Sequence, residues 1–362
     1  MSENKDTGEV VKARQNGGGP VYVRAARTVS PQGTFEELLE NPAQYLGDRL
    51  ACKEPDYSKY IDPKLIRRMS RIIKMGAAAA MECLQDAGQP LPDAIITGTA
   101  YGCLADTDQF LTRMVEFNEE LLSPTAFIQS THNTVGAQIA LMLKCHHYNN
   151  TYVHRGSSFE AAMMDAIGLM HEEEAGTVLV GGVDEIIEKS HVILSRFGLY
   201  KKDGNTETLT GSTTNGTMAG EGAAFFLLAK EKGEKCTARL DAMQTWYKPA
   251  VAAEDLVNSF LESNGVSIGS IDLLITGENG DLRHKEHYGE LKRSLFTGKP
   301  IITYKQFCGE YPTSSAFALW LASMIVNTGK VPGGSDVVAP QRVLIYNNYK
   351  LQYPTLYLLS AC

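Results

Sequence analysis

Residues 93–102 read DAIITGTAYG, and residues 272–281 read DLLITGENGD. Each is a short apolar run opened by an aspartate and closed by Thr-Gly, the composition of a buried strand that ends in a turn. A helix-like stretch precedes each: Asp62 to Gly88 before the first, VAAEDLVNSFLESNG at 251–265 before the second. Helix, short loop, D-x-[IL]-I-T-G therefore occurs twice. The echo continues downstream. A strand and small-residue corner feeding a long helix appear as YVHRGSSFEAAMMDAIG at 152–168 and as IITYKQFCGEYPTSSAFALWLASMIV at 301–326. Buried strands follow as TVLVGGVDE at 177–185 and VLIYNN at 343–348. Two copies of one α/β unit are predicted, packed so that corresponding corners face a shared cleft at the C-terminal ends of their strands. The predicted layout is a polar mobile tail over residues 1–18, a first half over 19–235 and a second over 236–362.

Composition narrows the function. The chain has 362 residues, 43% apolar and 21% charged, which is ordinary for a soluble globular protein, and a formal net charge of −8 that disfavours nucleic acid. No apolar run is long enough to cross a bilayer, and the first residues carry no secretory h-region. The seven cysteines, an odd number without CxxC spacing, argue against a disulfide framework and a zinc site, and point to a reducing cytoplasm. His146-His147 is discounted as a metal pair, because adjacent strand residues face opposite ways and no further ligand stands at suitable spacing.

These features together resemble the β-ketoacyl synthases of the thiolase superfamily, whose fold is such a duplication in five αβαβα layers. KLIRRMSRIIKMGAAAAMECLQDAG, Lys64 to Gly88, is similar to the helix that opens the family's first half. GTMAGEGAAFFLLAKEK, Gly216 to Lys232, is similar to its G-x-x-x-G-E-G-A signature, and TVLVGGVDE completes the match. The resemblance implies acyl chains held on the phosphopantetheine of an acyl carrier protein as ligand, with no other cofactor and no metal.

The same resemblance locates what is missing. The family needs a cysteine at the first-half corner to carry the acyl group; with the following helix and GGVDE held in register, Gly156 takes that place, and Arg155 or Ser157 if the register slips by one. The first histidine, in H-G-T-x-T-P-x-G-D, falls on Gly277 or Glu278. The second, in K-x-x-x-G-H-x-x-x-A-A-G, falls on Glu310 within KQFCGEYPTSSA, where Lys305 and Gly309 are kept. A final glycine-rich loop that helps form the family's oxyanion hole is replaced by YNNYKLQYP at 346–354. Glycine has no nucleophile, arginine stays protonated, and a glutamate near an enolate repels the developing charge. Loss of a nucleophile alone costs about 10⁶ in turnover in well-studied enzymes.

Other readings of the same residues are weaker. Cys308, two positions before Glu310, is the best alternative nucleophile, but buried free cysteines are mostly packing residues. Ser157 and Ser158 read as caps of the helix that starts at Phe159, and His154 as a structural strand-end histidine. Lys64, Arg67, Arg68 and Arg71 have the i, i+3, i+4, i+7 spacing of one helix face, and the resemblance implies docking of the acidic carrier protein there. A catalytically degenerate, chain-length-factor type of subunit is expected, pairing with an active ketosynthase through the sheet edge and helices around Thr151 to Met170, as the family's dimers do. The alternatives are an active acyltransferase with a divergent site and a homodimeric acyl-binding protein.

Overall fold

The structure, a computed structural model, describes residues 19–120, 122–333 and 339–362; the tail expected over residues 1–18 lies outside them. The first half runs β1 (Val21–Val29), α1 (Arg71–Ala87), β2 (Ala94–Gly98), α2 (Thr134–Leu143), β3 (Tyr148–Tyr152), α3 (Ser158–His171), β4 (Thr177–Asp184) and β5 (Gly222–Ala229). The second repeats the series: β6 (Ala238–Thr245), α4 (Ala253–Ser263), β7 (Leu273–Thr276), α5 (Leu282–Leu295), β8 (Ile301–Thr303), α6 (Ser315–Thr328), β9 (Arg342–Tyr349) and β10 (Tyr353–Ser360). Strand order across the sheet is β1-β5-β4-β2-β3 in one half and β6-β10-β9-β7-β8 in the other, the same order counted within each copy. An antiparallel β1–β6 pairing, Val21 opposite Leu240, joins the two.

The duplicated phrase has a duplicated task. Asp93 Oδ2 accepts from the backbone N–H groups of Gly176 and Thr177, at 3.0 and 2.8 Å, and so fixes the start of β4. Asp272 Oδ2 accepts from Gln341 and Arg342, both at 2.9 Å, and fixes the start of β9. At the other end Thr97 meets Thr151 of the neighbouring strand at 2.7 Å, as Thr276 meets Thr303 at 3.3 Å. Each motif thus registers three parallel strands whose ends carry the site.

Five layers follow from which face each apolar residue takes. In AAFFLLA, Phe225 and Leu227 face α1 and α2, whereas Phe226 and Leu228 face the middle of the molecule, as strands covered on both sides require. In the second half Leu274, Leu344 and Tyr346 face α4 and α5, and Leu273, Ile275 and Val343 face inward. The middle layer is α3 and α6, which are apolar on nearly every side and correspondingly buried. Gly182 lets them approach, since a Cβ there would meet Phe159 of α3 and Ala316 of α6 at 3.1 Å; on the opposite face, a Cβ at Gly181 would overlap the Phe225 ring. The double glycine is thus a packing requirement.

Three local expectations are corrected. The stretch from Asp62 to Gly88 is not one helix: Pro63–Ile66 makes a single turn capped by Asp62, Met69 turns into the core, and extended Ser70 opens α1. Ser158 does not cap its helix forward; its Oγ accepts from His154 N–H and donates to Arg155 C=O, both at 2.8 Å, tying the corner to itself. The cysteines do include a pair, since Cys236 and Cys362 form a disulfide across 126 residues, Cα to Cα 6.1 Å. Spacing hid it because β10 returns beside β6, with Ser360 opposite Arg239, and brings the two ends together. No described helix is long and apolar enough to cross a membrane.

Candidate functional site

The first-half corner, between β3 and α3, is a tight turn in which Arg155 has φ of 53°. A strained residue on a strand-to-helix turn is where an α/β enzyme presents a nucleophile. Here that position carries an exposed guanidinium, and buried Gly156 follows it. Space above the glycine is already taken. A Cβ at Gly156 would lie 2.5 Å from Tyr349 Cδ1 and 2.8 Å from Tyr353 Cδ2, both on the β9–β10 hairpin built by YNNYKLQYP. Burial first, then the neighbouring Tyr101 and Glu310, hold the Tyr349 phenol far above its ordinary range, so it stays neutral.

The second-half corner is a closed polar knot. Lys305 is completely buried, and its Nζ lies 2.5 Å from Glu310 Oε1 and 2.5 Å from Ser314 Oγ. Asn279 Nδ2 donates to the other oxygen, Glu310 Oε2, at 2.6 Å. Both carboxylate oxygens are thereby engaged. The backbone is fixed as well: Glu310 N–H donates to Met218 C=O and Gly220 N–H to Glu310 C=O, at 2.9 and 3.0 Å. Gly220 is required there, because a Cβ would sit 2.0 Å from Cys308 C=O. The G-E-G-A signature thus clamps one half onto the other's corner.

Between the corners stands Asp184, from GGVDE. It accepts from Thr99 Oγ1 at 3.0 Å, Ala100 N–H at 2.9 Å and Thr313 Oγ1 at 2.8 Å, so it bridges both halves. Burial pushes its carboxyl up to about 6 while these hydrogen bonds oppose the shift.

The structure separates the two candidates for the first histidine's place. Glu278 pairs with Lys292 of α5 at 2.5 Å. Gly277 lies against Asn347, whose Oδ1 would be 2.3 Å from a Cβ, and it is Asn279 that reaches Glu310. Sequence reading overlooked Asn279, Ser314, Tyr349 and Tyr353. Asn279 stands inside the quoted GENGD, but nothing in one sequence distinguishes it from an ordinary turn asparagine. Cys308 is fully buried with Sγ 3.3 Å from Gly309 C=O, and burial pushes its thiol well above the usual range. That is the environment of an inert thiol.

The basic face is smaller than expected. Arg71 is withdrawn from it: Nη1 and Nη2 grip both oxygens of buried Glu221 at 2.6 Å, and Nε meets Glu54 at 2.5 Å. This happens because the helix restarts at Arg71 after extended Ser70, and Glu221 stands just before β5. Lys64, Arg67 and Arg68 remain exposed. If this face docks an acidic carrier protein, as the resemblance implies, reversing charge at Arg67 and Arg68 together weakens that association severalfold at low salt, since an exposed pair contributes about 0–1 kcal/mol. Binding unchanged at low and high salt would assign the patch to solubility.

A ten-strand duplicated sheet wrapped around two buried helices, with paired corners at its strand ends, defines a thiolase-like condensing-enzyme fold. Residues 20–233, more than half the chain, match the family description "Beta-ketoacyl synthase, N-terminal domain". The chain belongs to the β-ketoacyl synthase family. No curated protein matches it by sequence. Among solved structures it is similar to a β-ketoacyl synthase from Burkholderia phymatum STM815, with 14% identity, 95% of this chain and 100% of that one covered, and a TM-score of 0.80. It is also similar to the ishigamide ketosynthase/chain length factor, with 16% identity, coverage of 95% and 99%, and a TM-score of 0.79. A third similar structure is a ketosynthase in complex with its chain length factor from Xenorhabdus doucetiae, with 16% identity, coverage of 95% and 98%, and a TM-score of 0.76.

Proposed function

We propose that this chain is a non-condensing ketosynthase-like subunit of the chain-length-factor type, which shapes the product of an active partner instead of making bonds. The observation that carries the reading is the pair of corners: an arginine and a ring-covered glycine where the acyl carrier should stand, and a locked Lys305–Glu310 pair where an imidazole should stand. Without a thiol there is no thioester, and a glutamate held by two donors offers no stabilisation to an enolate. The partner is an active ketosynthase, and the ligands are acyl chains on the phosphopantetheine of a carrier protein.

The fold leaves a surface suited to pairing. Among the described residues β3 is an edge strand, bonded only to β2, and an unpaired edge is a ready template for another chain. Around it Leu141, Tyr148, Val153 and Met164 are exposed, with Phe127 and Ile128 nearby in sequence also exposed. Such apolar exposure is what an obligate interface covers. A second copy of this chain is the alternative occupant, giving the homodimeric acyl-binding reading.

Incubated with acyl-carrier or acyl-CoA thioesters, the purified chain is expected to gain no acyl mass. Co-expressed with a complete ketosynthase of the same pathway, it is expected to elute and fly in native mass spectrometry as a heterodimer. A one-acyl mass increase that vanishes in Cys308→Ala overturns the reading in favour of an active acyltransferase.

A further inference from the structure

The Tyr349–Tyr353 hairpin does more than cover Gly156. The turn at Tyr247–Lys248 lies against it, with Lys248 N–H donating to Gln352 C=O at 2.8 Å. Tyr247, Tyr353 and Tyr349 form a continuous aromatic rank, with centroids 5.1 Å and 6.2 Å apart. Cations stand along it: Lys350 Nζ is 5.3 Å from the Tyr349 centroid, and Lys248 Nζ is 5.1 Å from that of Tyr247. Arg155 stands beside Gly156, against which the Tyr349 ring is packed. All three basic residues have left-handed backbone, φ of 53° at Arg155, 45° at Lys248 and 55° at Lys350. At Lys350 the cause is the hairpin turn itself, in which Lys350 and Leu351, φ of 55° and 52°, are the central residues closed by Gln352 N–H to Tyr349 C=O at 3.1 Å.

None of the three forms an ion pair among the described residues. Lys350 stands over the same Tyr349 ring that packs on Gly156, the neighbour of Arg155, so the two cations flank one ring; burial lowers the Lys350 ammonium's pKa, and the like charge of Arg155 lowers it further. Glu310 opposes the shift, but both its oxygens are already engaged by Lys305 and Asn279. On a protein of net charge −8, like charges brought to one corner without an ion pair of their own carry a cost that a bound anion would remove.

We propose that this corner is an oxyanion-binding site, in which Arg155, Lys350 and Lys248, backed by Tyr247, Tyr349 and Tyr353, take a carboxylate or a phosphate. Arginine supplies a planar fork that matches either group, and the lysines supply point charges beside it. The rings form an apolar wall for whatever chain carries the anion. The site stands whether or not the chain is a chain-length factor, because it needs neither a partner nor a nucleophile.

Titration of the whole chain with malonate, and separately with inorganic phosphate, at constant ionic strength tests this. Tyrosine fluorescence and thermal midpoint are the readouts. Saturable binding is expected for at least one anion, weakened about tenfold in Arg155→Gln and in Lys350→Gln. Arg155→Lys should retain part of it. Lys59→Gln and Lys232→Gln, exposed lysines elsewhere, should bind as wild type does, and anion-free thermal midpoints show whether each variant is folded. Preference for malonate identifies a carboxylate-bearing ligand, and preference for phosphate a phosphorylated one. Absence of saturable binding, or equal weakening in the Lys59 and Lys232 variants, overturns the proposal.

Discussion

Glu310→Ala is expected to destabilise the chain by about 3–5 kcal/mol, the cost of leaving one member of a buried ion pair without its partner. Lys305 is completely enclosed, and among the described residues its ammonium has, beyond Glu310, only Ser314 Oγ at 2.5 Å and the face of Tyr304, 5.0 Å to the centroid. Neither neutralises a full charge. Removing the carboxylate also orphans Asn279 Nδ2. Glu310→Gln keeps shape and one acceptor, so its loss should be smaller. Glu310→His, which puts back the residue type the family uses, should cost nearly as much as alanine, since an imidazole brings no negative charge to Lys305. Lys305→Met combined with Glu310→Leu removes both charges and is expected to lie within about 2 kcal/mol of wild type. Denaturant midpoints at constant m-value decide the matter. If Glu310→Ala costs less than about 1 kcal/mol, the knot is solvated and does not lock the corner.

The fold was legible because its signals are local and occur twice. D-x-[IL]-I-T-G marks a strand in each half by its own apolar run, and the structure gives the aspartate and the threonine the same bonds in both copies. GGVDE and G-E-G-A were legible for a related reason: side chains of the two central helices press on Gly182 and backbone crowds Gly220, whatever the chemistry nearby. The site was legible mainly as an absence. A sequence shows that Glu310 stands where a histidine is expected, but not that Asn279, 31 residues earlier, closes on it. Nor does it show that a hairpin nearly 200 residues downstream of Gly156 lays two rings over it, because that contact depends on how the halves pack. Arg71 misled for the opposite reason. Helical spacing in the sequence runs unbroken through Met69 and Ser70, whereas the chain breaks there and makes Arg71 an anchor for Glu221.

Gly156→Cys, the substitution that restores the family's residue at the covered glycine, is expected to fail twice over. Its Cβ alone would stand 2.5 Å from Tyr349 and 2.8 Å from Tyr353, closer than carbon atoms pack, before the sulfur is placed. Both rings are buried and belong to the aromatic rank with Tyr247, so the hairpin must shift, at a cost of about 1–3 kcal/mol or more. Shortening the obstruction with Tyr349→Ala should recover part of that loss in the double variant, a positive coupling between two residues far apart in sequence. Condensation should not appear in either variant, because Gly277, Glu278 and Glu310 stand at the family's histidine places and Glu310 remains fixed by Lys305 and Asn279. Arg155→Cys makes the complementary case. Its side chain is exposed at the strained residue of the turn, so the variant should fold and its thiol should react with iodoacetamide. A reactive thiol without enolate stabilisation should still give no condensation of malonyl and acyl thioesters. Two results would refute this account: Gly156→Cys as stable as wild type, which would mean the hairpin yields freely, or either cysteine variant condensing alone at about 1 s⁻¹, an ordinary enzyme rate.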